Sequence, residues 1–244
     1  MYHLRKLGNE ILQEADKVIF LSETYKDKLI NRFVKPKNRE LISAKSYVIP
    51  SGIDEFWLNN VNSVKQLNSD KVIKLLQVGE ISKRKNILTT VKSIELLKKN
   101  GYDVQFTVVG KIVDNDIYES IKKLDFIKYI SPKPQNDLLE IYRENDIFVM
   151  PSITETFGLV YPEAMSQGLP LIYTRGQGFD GQLEDGKVGY SVDCDNPEQI
   201  AERIVDITKE YNQLSSNSIA NCNRFSWNNI IDSYEKIYKV NKGD

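Results

Sequence analysis

Along this chain, short apolar runs rich in β-branched residues alternate with longer stretches whose apolar positions recur every three or four residues. The first pattern marks strands and the second marks amphipathic helices. Residues 72–78 (VIKLLQV) predict a strand closed by Gly79, and residues 86–99 a helix with Ile87, Val91, Ile94 and Leu97 on one face. Gly101 supplies the stop beyond that helix, and residues 104–109 (VQFTVV) predict a second strand closed by Gly110. The rhythm continues with a helix over 118–124, a strand over 126–130, a helix over 137–144 and a strand over 146–150 that ends at Pro151. A helix over 159–167 and strands over 170–173 and 189–192 follow. After Asn196-Pro197 the pattern is helical to the end, with Ser226 as N-cap of a last helix over 227–238. Strands joined by helical crossovers imply a doubly wound α/β unit, a parallel sheet covered on both faces. Ligands of such sheets sit at the C-terminal ends of the strands, where Gly79, Gly110 and the Pro151-Ser152 corner fall.

Residues 1–50 stand apart from this unit. They predict a helix over 4–15, a strand over 18–21 and a helix over 23–33, followed by a Pro/Gly turn over 48–54 (VIPSGID) and a polar stretch over 59–70. One strand with two helices is too little to bury a core, so the segment reads as the end of a preceding domain. The division expected is an incomplete N-terminal domain over 1–50, a linker over 51–70, the main α/β domain over 71–225 and a terminal helix over 226–244.

Composition narrows the chemistry. Among 244 residues there are 33 Lys and Arg against 34 Asp and Glu, so no global basic field favours nucleic acid. The first segment alone carries ten basic residues against six acidic ones, a balance of +4 that could meet an anionic membrane surface or simply face solvent. There is one histidine, His3, which excludes Ser-His-Asp and HExxH chemistry unless His3 itself serves. Cys194 and Cys222 form neither a CxxC pair nor a disulfide framework and suit a reducing compartment as small buried side chains. No apolar run approaches a transmembrane length, and the N-terminus lacks a signal-peptide core. The expectation is a soluble, cytoplasmic chain.

The densest constellation is residues 151–165 (PSITETFGLVYPEAM), which leave a strand and enter a helix. Pro162 fits a first helical turn, Gly158 admits a ligand close to the backbone, and the free amides of the helix start form an anion site. Glu155 lies in the loop before those amides and Glu163 near the first turn after them. Carboxylates so placed suit hydroxyl groups, and two of them flanking a diphosphate cradle describe a nucleotide-sugar pocket. The stretch 79–86 (GEISKRKN) follows the first strand, and its basic residues can clamp the diphosphate and stabilise leaving-group charge without a metal.

These residues resemble the C-terminal half of retaining GT-B glycosyltransferases of family 4, the group 1 type of polysaccharide and glycolipid synthesis. The turn Ile49-Pro50-Ser51-Gly52-Ile53-Asp54 is similar to that family's interdomain P-N-G-I/V-D, Glu155 to Glu163 to its E-x7-E motif, and Gly168-Leu169-Pro170 to its G-x-P-V strand entry. Phe225-Ser226-Trp227 resembles the start of the terminal helix that crosses back to the N-terminal domain. The resemblance implies a Rossmann-like donor domain and transfer of a sugar, with retention, from a nucleotide-diphosphate sugar (UDP- or GDP-linked) to the hydroxyl of a saccharide or lipid-linked acceptor. It implies that Glu155 holds donor-sugar hydroxyls and Glu163 the ribose, while Gly79 and the amides of Phe157, Gly158 and Leu159 meet the diphosphate. Lys85 would neutralise it, and residues 130–133, with Lys133, would line the base. Neither cofactor nor metal is expected beyond the donor itself.

Two departures accompany the resemblance. The family commonly has arginine after the first glycine where this chain has Glu80, an acid that must turn away from a diphosphate, with Arg84 as the candidate to compensate. The acceptor-side domain with its glycine-rich loop and histidine has no counterpart here, so the chain reads as a donor-binding half, either a piece of a longer protein or a subunit that needs a separately encoded N-terminal partner, and His3 is not given that histidine's role. A non-catalytic nucleotide-sugar-binding or assembly subunit, and a sugar-nucleotide epimerase of the same fold, are the other readings. Gly176-Gln177-Gly178-Phe179-Asp180-Gly181 matches GxGxxG but lacks a βαβ unit behind it. Asp114-Asn115-Asp116 and Asp193-Cys194-Asp195 mimic metal-binding DxD motifs and read as polar turns. Tyr47, Phe56 and Trp57 read as domain packing.

Overall fold

A computed structural model describes residues 2–67 and 72–239, with side chains from residue 6 onward. The side chain of His3, the end of the expected linker at 68–70, position 71 and the last residues of the expected terminal helix, 240–244, lie outside these descriptions.

The chain opens with α1 (Tyr2–Glu14), β1 (Val18–Phe20), α2 (Glu23–Phe33), α3 (Pro36–Ala44) and β2 (Ser46–Val48). β1 and β2 pair in parallel, Val18 opposite Ser46 and Phe20 opposite Val48. Ser22 caps α2, its hydroxyl accepting from the Tyr25 amide at 3.1 Å. The sequence pattern predicted neither α3 nor β2, and a proline at the head of a segment is easily taken for a break. Pro36 instead occupies the first helical turn, where its missing N–H costs nothing. With the second strand in place, Phe20, Ile30, Val34 and Ile42 form a small core of their own.

α4 (Glu55–Asn59) follows within the expected linker, capped by Asp54, whose carboxylate accepts from the Phe56 amide at 2.8 Å. Trp57 is buried edge-on against Tyr142. The polar stretch after it is docked on the main domain: Lys65 Nζ donates to the backbone carbonyls of Arg143, at 2.9 Å, and of Asn145. Burial lowers that ammonium to about 8.

The main unit runs β3 (Ile73–Val78), α5 (Ile87–Lys99), β4 (Val104–Val109), α6 (Asn115–Ile121), β5 (Ile127–Ile130), α7 (Gln135–Glu144), β6 (Ile147–Val149), α8 (Val160–Ser166), β7 (Leu171–Thr174), β8 (Gly189–Val192), α9 (Pro197–Lys209) and α10 (Tyr211–Cys222). Its six strands are all parallel, in the order β5-β4-β3-β6-β7-β8. From β3 the chain winds outward through β4 and β5, then returns to begin again at β6. The crevice between the C-terminal ends of β3 and β6 is thus the topological switch point, where open α/β sheets bind ligands. Both faces are covered. Ile94, Leu97, Ile204 and Ile207 pack on one, and Leu139, Tyr142, Ala164 and Met165 on the other. β3, β4 and β6 are accordingly buried almost throughout, while the edge strand β5 is partly exposed.

α11 (Trp227–Lys239) closes the described chain, with Ser226 Oγ accepting from the Asn229 amide at 3.3 Å. Its Ile230 and Ile237 pack with Ile49, Tyr47 and Ile19 of the first sheet, so the helix spans both units. Among the described residues, no helix is long and apolar enough to cross a membrane.

Candidate functional site

Two loops meet at the switch point. The first leaves β3 at Gly79 and runs through a 3-10 turn, Lys83–Lys85, into α5. A Cβ on Gly79 would lie 3.2 Å from Lys85 Cε, so the glycine leaves room for the lysine stem to fold back over the strand end. Lys85 is buried (7% exposed), and its Nζ donates to Glu155 Oε2 at 2.5 Å. Asn86 then takes the left-handed conformation at φ 57°, the one non-glycine residue to do so among those described. Its side-chain amide donates to the carbonyls of Pro151, at 2.9 Å, and Cys194, at 2.5 Å, pinning the loop to the ends of β6 and β8.

The second loop leaves β6 at Met150 and enters α8. Its Ile153 amide donates to the Arg84 carbonyl at 2.9 Å, a main-chain bond across the switch point. Glu155 is buried at 8% exposure. Its amide donates to Gln177 Oε1 at 3.0 Å, and its carbonyl accepts from the Gly178 amide at 3.0 Å. Its other carboxylate oxygen, Oε1, accepts from the Thr156 amide at 3.2 Å. Gly158 has φ 83°, and a Cβ there would stand 2.5 Å from the Tyr161 ring, so both conformation and space demand glycine. The Phe157 ring points inward against Phe225 and Phe179, leaving only its backbone to a ligand, and Leu159 is exposed. Pro162 sits in the first turn of α8, as expected.

Glu163 follows, half-buried, and accepts from the Tyr142 hydroxyl at 3.1 Å. Burial raises its carboxyl to about 7, and the nearby Asp54 charge adds to the rise.

The structure therefore brings Gly79, Arg84, Lys85 and Glu155 into one cluster, with Phe157, Gly158 and Leu159 on the same loop as Glu155 and Glu163 one turn into the helix. Lys133 stands apart, exposed on the segment after β5. The loop of the GxGxxG match packs its backbone on Glu155 and Thr156: a Cβ on Gly178 would lie 1.8 Å from the Thr156 carbonyl oxygen. Its other side meets the first unit, Lys28 Nζ donating to the Gly176 carbonyl at 3.1 Å and Gln182 Nε2 to the Leu21 carbonyl. The first DxD match is the start of α6, with Asp114 as its cap and Asn115 and Asp116 in its first turn, while Asp193 of the second pairs with Arg175. Cys222 is buried as expected, whereas Cys194 is only half-buried. Trp57, Phe56 and Tyr47 serve packing.

Sequence reasoning missed three residues that hold this site: Asn86, Gln177 and Tyr142. Asn86 had a local signal, an asparagine between a 3-10 turn and a helix. The other two are recognisable only through partners brought together by the fold.

The family model for glycosyl transferases of group 1 matches residues 60–223. Over 116 residues, 46% of the chain, the sequence is 29% identical to the D-inositol 3-phosphate glycosyltransferase of Corynebacterium urealyticum, a match spanning 27% of that protein. Over 205 residues, 78% of the chain, it is 29% identical to the capsular polysaccharide biosynthesis glycosyltransferase CapM of Staphylococcus aureus, spanning 51% of it. In fold the chain is similar to HepE of Anabaena, solved with UDP and glucose. The TM-score is 0.73 at 16% identity, over 98% of this chain and 68% of that one. The chain thus spans from about a quarter to about half the length of these two sequence relatives.

Proposed function

The chain belongs to the glycosyl transferases of group 1, and from that premise we propose that it is the donor-binding half of a retaining, metal-independent hexosyltransferase. The donor is a nucleotide-diphosphate sugar, UDP- or GDP-linked, and the acceptor a hydroxyl of a saccharide or lipid-linked chain in polysaccharide or glycolipid assembly. The observation that carries this reading is the convergence of Lys85 and Arg84 on Glu155 at the switch point between β3 and β6. Two cations and a carboxylate at that edge offer a diphosphate its counter-charge and a sugar its hydrogen-bond acceptor in one place. HepE, similar in fold, was solved with UDP and glucose, and CapM is named for capsular polysaccharide biosynthesis.

In this mechanism the bond between the anomeric carbon and the diphosphate oxygen breaks, and its electron pair leaves with the diphosphate. The acceptor oxygen bonds the anomeric carbon from the same face, and the departing phosphate oxygen takes the acceptor's proton. Lys85 and Arg84 stabilise the charge that grows on the leaving group, together with the backbone amides of Phe157, Gly158 and Leu159. Lys85 shares its ammonium between the phosphate and Glu155, which is freed to accept from the sugar hydroxyls. Glu163 accepts from the ribose, and residues 130–133 flank the base. The acceptor side belongs to an N-terminal domain to which α1–α3 and the first sheet contribute, whether in the same chain or supplied by a partner.

Calorimetric titration with UDP, GDP and ADP, then with UDP-glucose and GDP-mannose, tests the donor pocket. Saturable binding of one nucleotide, weakened at least about tenfold in both Glu163→Ala and Lys85→Ala, is the expected result. Binding that neither substitution affects would move the donor site elsewhere, and no binding to any nucleotide would remove it.

A further inference from the structure

Glu80 lies in the loop that leaves β3 for the site, next to Gly79. An acid in a loop that meets a diphosphate repels the ligand unless a cation answers it. The answer is built from three donors on one oxygen. Glu80 Oε1 accepts from Ser82 Oγ at 3.0 Å, from Arg84 Nη2 at 3.1 Å and from Arg84 Nε at 3.3 Å. Ser82 first, and then Arg84, hold the Glu80 carboxyl below the usual carboxylate range. The same guanidinium reaches across the switch point. Its Nη1 donates to the Thr154 carbonyl at 3.3 Å and stands 3.8 Å from Glu155 Oε2. Lys85 Nζ reaches that same Glu155 oxygen from the buried side at 2.5 Å.

Arginine is a long, rotamer-rich side chain, and this one is 43% exposed. Left alone it would sample solvent. Glu80 engages the Nε and Nη2 edge of the planar fork, which fixes the plane and turns Nη1 toward the second loop. The main chain of Arg84 is already held by Ile153, so backbone and guanidinium are both set relative to Glu155.

We infer that Glu80 is a positioning residue which holds Arg84 over the mouth of the site, so that Arg84 supplies the outer diphosphate cation in place of an arginine at position 80. The inference rests on the donor-pocket reading of the same site. Glu80 touches neither sugar nor phosphate. It acts through the arginine it backs.

A double-substitution cycle on the full chain tests it, using UDP and GDP as probes and taking whichever binds better. Arg84→Ala is expected to weaken that nucleotide about tenfold and Glu80→Ala about three- to fivefold. Glu80→Ala combined with Arg84→Ala should be no weaker than Arg84→Ala alone, because Glu80 has no route to the ligand except through Arg84. Glu80→Gln, which keeps an acceptor for Ser82 and Arg84, should recover most of the affinity. A merely structural role would not give that rescue, or that non-additivity, with an unchanged unfolding midpoint. Tighter binding in Glu80→Ala, losses that add in the double variant, or a Glu80→Ala that binds like the parent would each overturn the positioning role while leaving the donor pocket standing. A parent chain that binds neither nucleotide overturns the pocket and this role with it.

Discussion

Burial on α8 lifts the Glu163 carboxyl from the ordinary glutamate range to about 7, with Asp54 adding repulsion and the Tyr142 hydroxyl opposing the rise through its hydrogen bond. The folded chain therefore holds a proton that the unfolded chain releases near pH 4.3. Where the folded state binds more protons, stability falls as pH rises, so this group's contribution is most favourable in acid and declines up to about pH 7. Glu163→Gln, which keeps the acceptor for Tyr142 and loses the charge, should raise unfolding free energy at pH 8 by on the order of 1–3 kcal/mol and change little at pH 5. Denaturant unfolding at the two pH values checks it; an equal effect at both would mean that the carboxyl titrates normally. The same titration bears on binding. In the proposed role Glu163 accepts from the ribose hydroxyls, and an ionised carboxylate is the stronger acceptor, so affinity for a nucleotide sugar should climb from pH 6 to pH 8 in the parent and stay flat in the variant. At this scale the sequence disclosed the types and the places. Glu155, Lys85 and Glu163 were legible because acids and bases at strand ends and helix starts have few structural duties. Tyr142 and Gln177 were not, since each matters through one hydrogen bond to a residue about twenty positions away.

Elements were legible where their own period was long enough to speak. α2, β4 and β8 fall on their expected residues, and β3 begins one residue late. What stayed hidden was short or began with proline. α3 hides behind Pro36, and α4 is a single capped turn whose buried residue, Trp57, finds its partner Tyr142 far along the chain. The segment Gly176–Gly181, set aside as a dinucleotide motif for want of a βαβ unit, carries its glycines for a backbone contact. The Gly178 amide donates to the Glu155 carbonyl, and a Cβ on Gly178 would collide with the backbone of Thr156. No side-chain adjustment relieves a clash with main chain, so Gly178→Ala must push the loop off Glu155. The expected cost is about 1–3 kcal/mol of stability, with nucleotide-sugar affinity falling more than affinity for the bare nucleoside diphosphate, because the proposed function makes Glu155 the sugar-side acceptor. Paired titrations of the variant with UDP-glucose and UDP, or the guanosine equivalents, would read this, and equal losses on both ligands would count against the loop as a support for Glu155.

Among the described residues two ties join the first sheet to the six-stranded one, and one of them reaches Glu155. One is α11, whose Ile230 and Ile237 share a small core with Ile49, Tyr47 and Ile19. A Cβ on Gly52 would sit 2.7 Å from the Trp227 ring, so the interdomain turn and the helix start are packed to contact. The other is the Gly176–Gly181 segment, with Gln182 beside it, which touches Leu21, Thr24 and Lys28 on one side and Glu155 on the other. Ile230 is 2% exposed. Truncating it leaves a cavity between the units and not within the main sheet, so Ile230→Ala should cost about 2–4 kcal/mol, locally. The prediction is faster amide exchange in β1, β2 and α11 with protection of β3, β4 and β6 unchanged, and nucleotide affinity within about twofold of the parent. Uniform loss of protection would mean that the two sheets unfold as one cooperative body. A fall in nucleotide affinity would mean that the second tie transmits the loosening to Glu155. In that case movement of the first unit against the second would act on the donor carboxylate itself, through a chain of contacts that runs from Leu21 to Gln182, Gly178 and Glu155.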